Sequence, residues 1–304
     1  MSRIHEALKK AAQERSERGV AHGSEDLMDF VKTPGVSASA AVLQTTEPEV
    51  GPSPKANGPL REFDRLAARC RKVEWNTEPR FSVFADETVN RAGAEKFRTL
   101  RSRLYQIAAA QPLKRVLLTS SVPEEGKTFV ALNLAQSIIR QTDKKVLLID
   151  ADLRASRMHV ALGAPGKPGL TDYLRGELEE TGVVQVGQAG NLCFIPGGTS
   201  ISNPSELLHS ERMKGLLERM APLFDWIVLD SPPAIAVHDA SILADMCDGV
   251  LFVVRAGATD FEMAQKAAVE FQEKNLLGVV LNRVDKSETY GDYYYGYSKE
   301  KHED

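Results

Sequence analysis

The sequence predicts an α/β fold, a doubly wound and mostly parallel sheet flanked by helices. Three observations predict it. Short continuous Val/Ile/Leu runs recur between Val116 and Leu281, as strands buried on both faces require. Helical apolar spacing separates them, which is the alternation of right-handed crossovers. Two of the runs end in aspartate, at the carboxyl strand ends where such sheets bind ligands.

Each element follows in chain order. Residues 1–18 read as an N-terminal docking helix. Ile4, Ala7, Leu8 and Ala11 share one face, ringed by Arg3, Lys9, Lys10, Arg15 and Arg18. That apolar face is small and suits a protein groove better than lipid. Residues 19–85 read as a flexible linker, mostly disordered, because 19–60 are rich in Gly, Ala, Ser, Pro, Thr and Glu. A short helix from Arg61 to Arg71 stays open within it. The main domain is expected over 86–286. It begins with a helix from Glu87 to Ala109, with Phe97, Leu100 and Leu104 on one face. Strands are expected at Val116–Thr119, Val146–Ile149, Leu192–Ile195, Trp226–Leu229, Val250–Val254 and Val279–Leu281. Residues 287–304 form a tyrosine-rich tail.

The loop after the first strand reads Ser121-Val122-Pro123-Glu124-Glu125-Gly126-Lys127-Thr128, and an apolar helix follows from Phe129. Strand, tight loop and helix are the context of a P-loop NTPase. Backbone N–H groups of Pro123–Phe129, proline excepted, point at a polyphosphate across the helix N-terminus. Lys127 reaches the β and γ phosphates, and the Thr128 hydroxyl binds Mg²⁺. ATP and Mg²⁺ are therefore the expected cofactors. Glu124 stands where a glycine is frequent, and its side chain is expected to face solvent.

Asp150 and Asp152 end the strand Val146-Leu147-Leu148-Ile149 two residues apart. In extended geometry both carboxylates face the same way. Ile227-Val228-Leu229-Asp230 has the form of a Walker B strand, whose Asp holds Mg²⁺. Lys127, Asp150 and Asp152 are the catalytic candidates. Lys127 neutralises charge, and one of Asp150 and Asp152 accepts a proton from an incoming hydroxyl. Thr128, Asp152 and Asp230 are the metal candidates.

Composition excludes other classes. The net charge of −4 gives no basic field for nucleic acid. Cys70, Cys193 and Cys247 are scattered, without metal or disulfide spacing, which fits a reducing cytosol. No apolar run approaches the roughly 18 to 20 residues that cross a bilayer. Any membrane contact is expected to be peripheral or through a partner.

Five of the seven tyrosines lie in the last fifteen residues: Tyr290, Tyr293, Tyr294, Tyr295 and Tyr297. Beside a phosphate loop, such a row of hydroxyls suggests a protein that phosphorylates itself. Taken together, these features resemble the bacterial tyrosine kinases (BY-kinases), the autokinases of capsule and exopolysaccharide assembly. The resemblance covers roughly residues 86 to 297. It rests on the P-loop, Asp150-Ala151-Asp152-Leu153-Arg154, Asp230-Ser231-Pro232-Pro233 and the tyrosine tail, with Glu95 to Arg101, Asn203 to Leu208 and Gly278 to Asn282 in support. The start, Ser2 to Leu8, looks like that of members encoded as separate cytosolic subunits, some of them exosortase-associated.

The resemblance implies an ATP:protein-tyrosine phosphotransferase that modifies the tail cluster between subunits. It implies that Asp150 activates the tyrosine hydroxyl, that Asp152 and Asp230 organise Mg²⁺, and that Asn282 sits near the adenine. Glu95, Arg98 and Arg101 match the motif that builds the family's ring-shaped oligomer. The helical pattern places Glu95 and Arg98 opposite the apolar face, free to contact a neighbour. Implied partners are a membrane-spanning polysaccharide co-polymerase, or chain-length regulator, and a tyrosine phosphatase. The implied location is the cytoplasm, with recruitment to the inner face of the plasma membrane. Ala155 and Ser156 depart from the Arg-Pro usual after Asp-Leu-Arg. The rival reading is a P-loop ATPase switch that oligomerises on ATP and modifies no protein.

Overall fold

The apolar runs fold as strands stacked edge to edge, each bounded by helices. The computed structural model describes residues 59–141 and 143–284. The expected helix at 2–18, the linker from 19 to 58 and the five tail tyrosines lie outside the described residues. In chain order the elements are α1 (Pro59–Arg69), β1 (Arg71–Lys72), a 3-10 turn (Pro79–Phe81), α2 (Arg91–Ala110), β2 (Arg115–Ser120), α3 (Lys127–Ile139) and β3 (Val146–Asp150). Then come α4 (Met158–Leu162), α5 (Leu170–Leu174), α6 (Glu180–Val183), β4 (Gln185–Val186), β5 (Leu192–Ile195), α7 (Pro204–Leu208) and α8 (Glu211–Met220). The last are β6 (Trp226–Asp230), α9 (Asp239–Ala244), β7 (Gly249–Arg255), α10 (Phe261–Val269) and β8 (Leu276–Asn282).

Among the described residues eight strands form one sheet in the order β1-β4-β5-β3-β6-β2-β7-β8. All pairs are parallel except β4 with β5. The six expected strands are in place, five with slightly wider bounds and Leu192–Ile195 to the residue. β1 and β4 are two residues each, too short to leave a pattern. Strand alternation splits the core. Val116, Leu118, Val146, Leu148 and Val228 face α2 and α3. Leu117, Leu147, Ile149, Ile227 and Leu229 face the opposite layer with Leu216, Leu243 and Ala267. No described helix is long and apolar enough to cross a membrane.

Residues 59–85 correct the linker expected over 19–85. Phe63 of α1 is buried edge-on against Phe224, with centroids 5.4 Å apart, and Lys145 Nζ lies 4.2 Å over its ring. Val73 N–H donates to the Val186 carbonyl at 2.9 Å. Trp75 fills the space where a Cβ on Gly187 would come within 2.5 Å of its ring. Asn133, fully buried on α3, accepts from Val83 N–H (2.8 Å) and donates to the Phe81 carbonyl (2.9 Å). This segment joins the domain through irregularly spaced aromatics, which carry no helical or strand period.

The first long helix starts at Arg91 rather than Glu87. Asp86 Oδ1 accepts from the N–H groups of Thr88 (3.0 Å) and Val89 (3.3 Å), closing a turn first. Arg98 is not free, as expected, for a neighbour. It pairs with Glu95 at 2.5 Å and with Glu87, which also bonds Arg140. Arg101 Nη1 donates to the Ser137 carbonyl at 2.5 Å. Glu95 itself is exposed.

Asp248 clamps the sheet ahead of the site. Its Oδ2 accepts from the N–H groups of Lys114 (2.9 Å) and Arg115 (2.8 Å), and its Oδ1 meets the Arg115 guanidinium at 2.6 Å. Burial works against the charge, but the Arg115 side chain and these N–H groups prevail and hold the carboxyl below its ordinary range. A depressed carboxyl stabilises the fold above the unfolded value of 3.8, and loses that effect as pH falls through the folded value. Asp248→Asn is expected to cost about 1–2 kcal/mol at neutral pH, or roughly 3–6 °C in Tm. The gap between variant and parent should close in acid, as thermal melts across pH will read; a gap that stays constant would refute the assignment.

Candidate nucleotide site

The site gathers at the carboxyl ends of β2, β3 and β6, because β6 lies between β2 and β3. Asp150 and Asp230 are direct register partners across β3 and β6. Ser231 Oγ donates to the Leu118 carbonyl at 3.0 Å and Thr119 Oγ1 to the Pro232 carbonyl at 3.1 Å, tying the end of β6 to β2.

The loop from Ser121 to Gly126 wraps the N-terminus of α3. Gly126 has φ 92°, and a Cβ there would lie 2.1 Å from Asn282 Nδ2, so only glycine fits. Glu124 also adopts a left-handed φ of 65°, and its side chain is exposed, as expected. Glu125 is buried instead. Its carboxylate accepts from Val122 N–H (2.8 Å), Thr259 Oγ1 (2.6 Å) and Arg255 N–H (3.4 Å). It shapes the loop from behind. Asn282 Nδ2 donates to the Glu125 carbonyl at 2.8 Å, so the residue expected near adenine braces the loop. The Phe129 ring packs on Phe97 at the start of α3, with centroids 5.9 Å apart. Pro123 is exposed at the loop crest.

Lys127 Nζ lies 3.3 Å from Asp152 Oδ2, and both side chains are largely buried. Thr128 Oγ1 donates to Asp230 Oδ2 at 2.5 Å. Asp150 Oδ2 accepts from Ser156 Oγ (2.7 Å) and Met158 N–H (3.1 Å), and its Oδ1 accepts from Asp152 N–H (3.3 Å). Burial pushes the Asp150 carboxyl up to about 6 and the Asp230 carboxyl up to about 8; Lys127 pulls the latter down. All three catalytic candidates and all three metal candidates therefore converge. Arg255 and Thr259 were absent from the sequence reading, and Ser156 entered it only as a departure from the usual Arg-Pro, not as a partner of Asp150. Ser156 follows the Asp-Leu-Arg motif by two places, a signal that was available, whereas Arg255 and Thr259 leave none.

The residues fit Mg²⁺ brought by a nucleotide. Asp230 Oδ1 is buried without a hydrogen-bond partner, and its charge is suppressed by desolvation, so a cation would satisfy both. Among the described residues no group of three or more His, Cys, Asp or Glu side chains forms a metal cage. Mg²⁺ needs none, since it takes one or two carboxylates together with phosphate oxygens and water.

Comparison with known proteins agrees with this geometry. Residues 116–303 match the CobQ/CobB/MinD/ParA nucleotide binding domain. The chain is 37% identical over 207 residues to the tyrosine-protein kinase YwqD of Bacillus subtilis, covering 67% of this chain and 86% of that protein. It is 37% identical over 208 residues to the tyrosine-protein kinase wzc of Salmonella typhimurium, covering 67% of this chain but only 29% of that longer protein. The kinase domain of the Escherichia coli tyrosine kinase ETK superposes with a TM-score of 0.60 at 33% identity, covering 64% of this chain and 78% of that one. The VpsO kinase domain gives 0.59 at 32% identity, covering 66% of this chain and all of that one.

Glu124 holds a backbone conformation that costs a side-chain-bearing residue about 1 kcal/mol and places a carboxylate beside the phosphate loop. Glu124→Gly is expected to tighten nucleotide binding a few-fold, about 0.5–1 kcal/mol. Titration with a fluorescent nucleotide measures it, and Glu124→Ala separates the causes. Equal gains in both variants would assign the effect to charge, and no gain in either would remove Glu124 from control of affinity.

Proposed function

Since this chain belongs to the CobQ/CobB/MinD/ParA nucleotide-binding family and, within it, to the bacterial tyrosine kinases, we propose that it transfers the γ-phosphoryl group of ATP onto tyrosines of its own C-terminal segment, from one subunit to the next. The observation that carries this reading is the convergence of Lys127, Thr128, Asp152 and Asp230 beside Asp150.

The first turn of α3 and the loop N–H groups bind the phosphates. Lys127, now paired with Asp152, swings onto the β and γ phosphates. Thr128, Asp152 and Asp230 would hold Mg²⁺, which neutralises charge on the transferring group. Asp150 stands apart from Lys127, anchored by Ser156 and Met158, and accepts the proton of the tyrosine hydroxyl. The tyrosine oxygen forms the new bond to the γ phosphorus as the bond to the bridging β–γ oxygen breaks, and ADP leaves.

The ring assembly, the phosphoacceptors Tyr290, Tyr293, Tyr294, Tyr295 and Tyr297, and the docking helix at 1–18 belong to this proposal. So do polysaccharide synthesis and export as the process, a membrane-spanning co-polymerase as activator, a tyrosine phosphatase as antagonist, and a cytoplasmic protein held at the membrane by its partner. The family resemblance supports them. Glu95 is exposed for a neighbour, whereas Arg98 would first exchange its bond to Glu87. Asn282 to Tyr290 spans at most about 26 Å, enough for an adjacent subunit. Each phosphotyrosine adds about −1.5 to −2 charges, so modified tails should repel ATP phosphates and one another and favour disassembly.

Phosphosite mapping after incubation with Mg²⁺ and ATP should find phosphate on Tyr290 to Tyr297 in the parent and none in Lys127→Ala. In a mixture of Lys127→Ala protein and active tail-truncated protein, the inactive subunit's tail should become phosphorylated. A clean inactive tail would end transfer between subunits. ATP hydrolysis with no phosphotyrosine in any sample, with or without a co-polymerase, would instead support the ATPase switch.

A further inference from the structure

A cleft of about 740 Å³ opens at the carboxyl ends of β3 and β5, immediately beside Asp150. Ser156 is the hinge between the two, because it lines the cleft and donates to Asp150 Oδ2 at 2.7 Å. Gly197, also in the lining, leaves no room for a Cβ, which would lie 2.6 Å from Ser156 Oγ. A group seated in the cleft is therefore one side chain away from the carboxylate that accepts the tyrosine proton.

The cleft has one sign of charge. Arg154, Arg157, His159 and Lys167 line it, and no Asp or Glu does. Arg154 is already committed, with Nε 2.8 Å from Asp239 Oδ2. Burial lowers the His159 pKa, which favours its neutral form. Arg157 and Lys167 are exposed, and among the described residues neither has a carboxylate partner. Two unpaired cations over a low-dielectric wall attract an anionic segment.

The chain carries such a segment. Residues 287–298 contain Glu288 and Asp292, no Lys or Arg, and all five tail tyrosines. Asp292 directly precedes Tyr293 and stands two places from Tyr290 and from Tyr294. In an extended peptide, residues two apart share a face, so a carboxylate held by the cations presents a neighbouring tyrosine on the same side.

We propose that this cleft docks the acidic tyrosine segment of a second copy of the chain, with Arg157 and Lys167 binding Asp292 and Glu288 so that a tyrosine meets Asp150. The assignment rests on the autokinase reading. A second copy follows from the transfer between subunits on which the proposal rests, and an acceptor that cannot phosphorylate itself reads that case alone.

The test uses full-length proteins. The acceptor is Lys127→Ala with its tail intact, and the donor is active with its five tail tyrosines changed to Phe. Initial rates of phosphotyrosine formation are measured against acceptor concentration. Donor Arg157→Ala/Lys167→Ala should raise the KM for acceptor about ten-fold, while kcat, nucleotide affinity and thermal melting stay unchanged. The parent's KM should rise with salt more steeply than the variant's. Acceptor Asp292→Lys should be poor with the parent donor and improve with donor Lys167→Glu. An unchanged KM in the double variant overturns the docking site and leaves the kinase reading intact. If the parent donor transfers no phosphate, the kinase reading fails, and docking is read from anisotropy of a dye-labelled peptide of residues 287–298. Binding lost in the double variant then upholds the cleft; equal binding to both proteins, or to neither, overturns it.

Discussion

Three carboxylates crowded into one dry corner are the constraint on which the rest of the structure depends. Asp150 and Asp230 face each other across neighbouring strands, and Asp152 lies two residues on. Strands sit about 4.8 Å apart, so like charges cannot be held there cheaply in a low dielectric. Lys127 balances part of the excess through Asp152, Thr128 binds Asp230, and burial suppresses the ionisation of Asp150 and Asp230. The corner is therefore electrostatically unfinished, and a cation beside Asp230 would complete it. Placing β6 between β2 and β3 creates this arrangement, since it sets two acidic strand ends next to the loop that carries the lysine.

The loop itself is built around a buried glutamate and a side-chain amide rather than by glycines alone. Glu125 gathers donors from Val122, Arg255 and Thr259, so its carboxylate substitutes for solvent behind the loop. Glu124 then takes the left-handed conformation and stays outside. Adjacent glutamates thus have opposite fates, one as an internal bracket and one as a strained surface residue.

Much of this was legible in the sequence, for identifiable reasons. Strands buried on both faces leave continuous apolar runs, and Val146 to Asp150 and Trp226 to Asp230 could be placed almost to the residue. The carboxylates and lysine were legible because a phosphate loop needs them at strand ends. Side chains that act across long sequence distances were not. Thr259 reaches Glu125 from 134 residues away, and Asn133 holds Phe81 and Val83 through hydrogen bonds that no local pattern encodes. Residues 59–85 were misread because Phe63 and Phe84 are buried, and Trp75 and Phe81 half-buried, each singly and at no fixed period. The charges of α2 were placed on the right face, but their partner Glu87 lies in the turn before the helix, where the helical pattern had already absorbed it.

The bond from Asn282 to the Glu125 carbonyl makes the sheet edge and the phosphate loop a single mechanical element. β8 ends at Asn282, and its amide occupies the space that Gly126 keeps clear. A displacement of the end of β8 would reach the Glu125 carbonyl, just ahead of the lysine helix, through a single amide. By reciprocity, a loop tightened around a ligand would stiffen the end of β8.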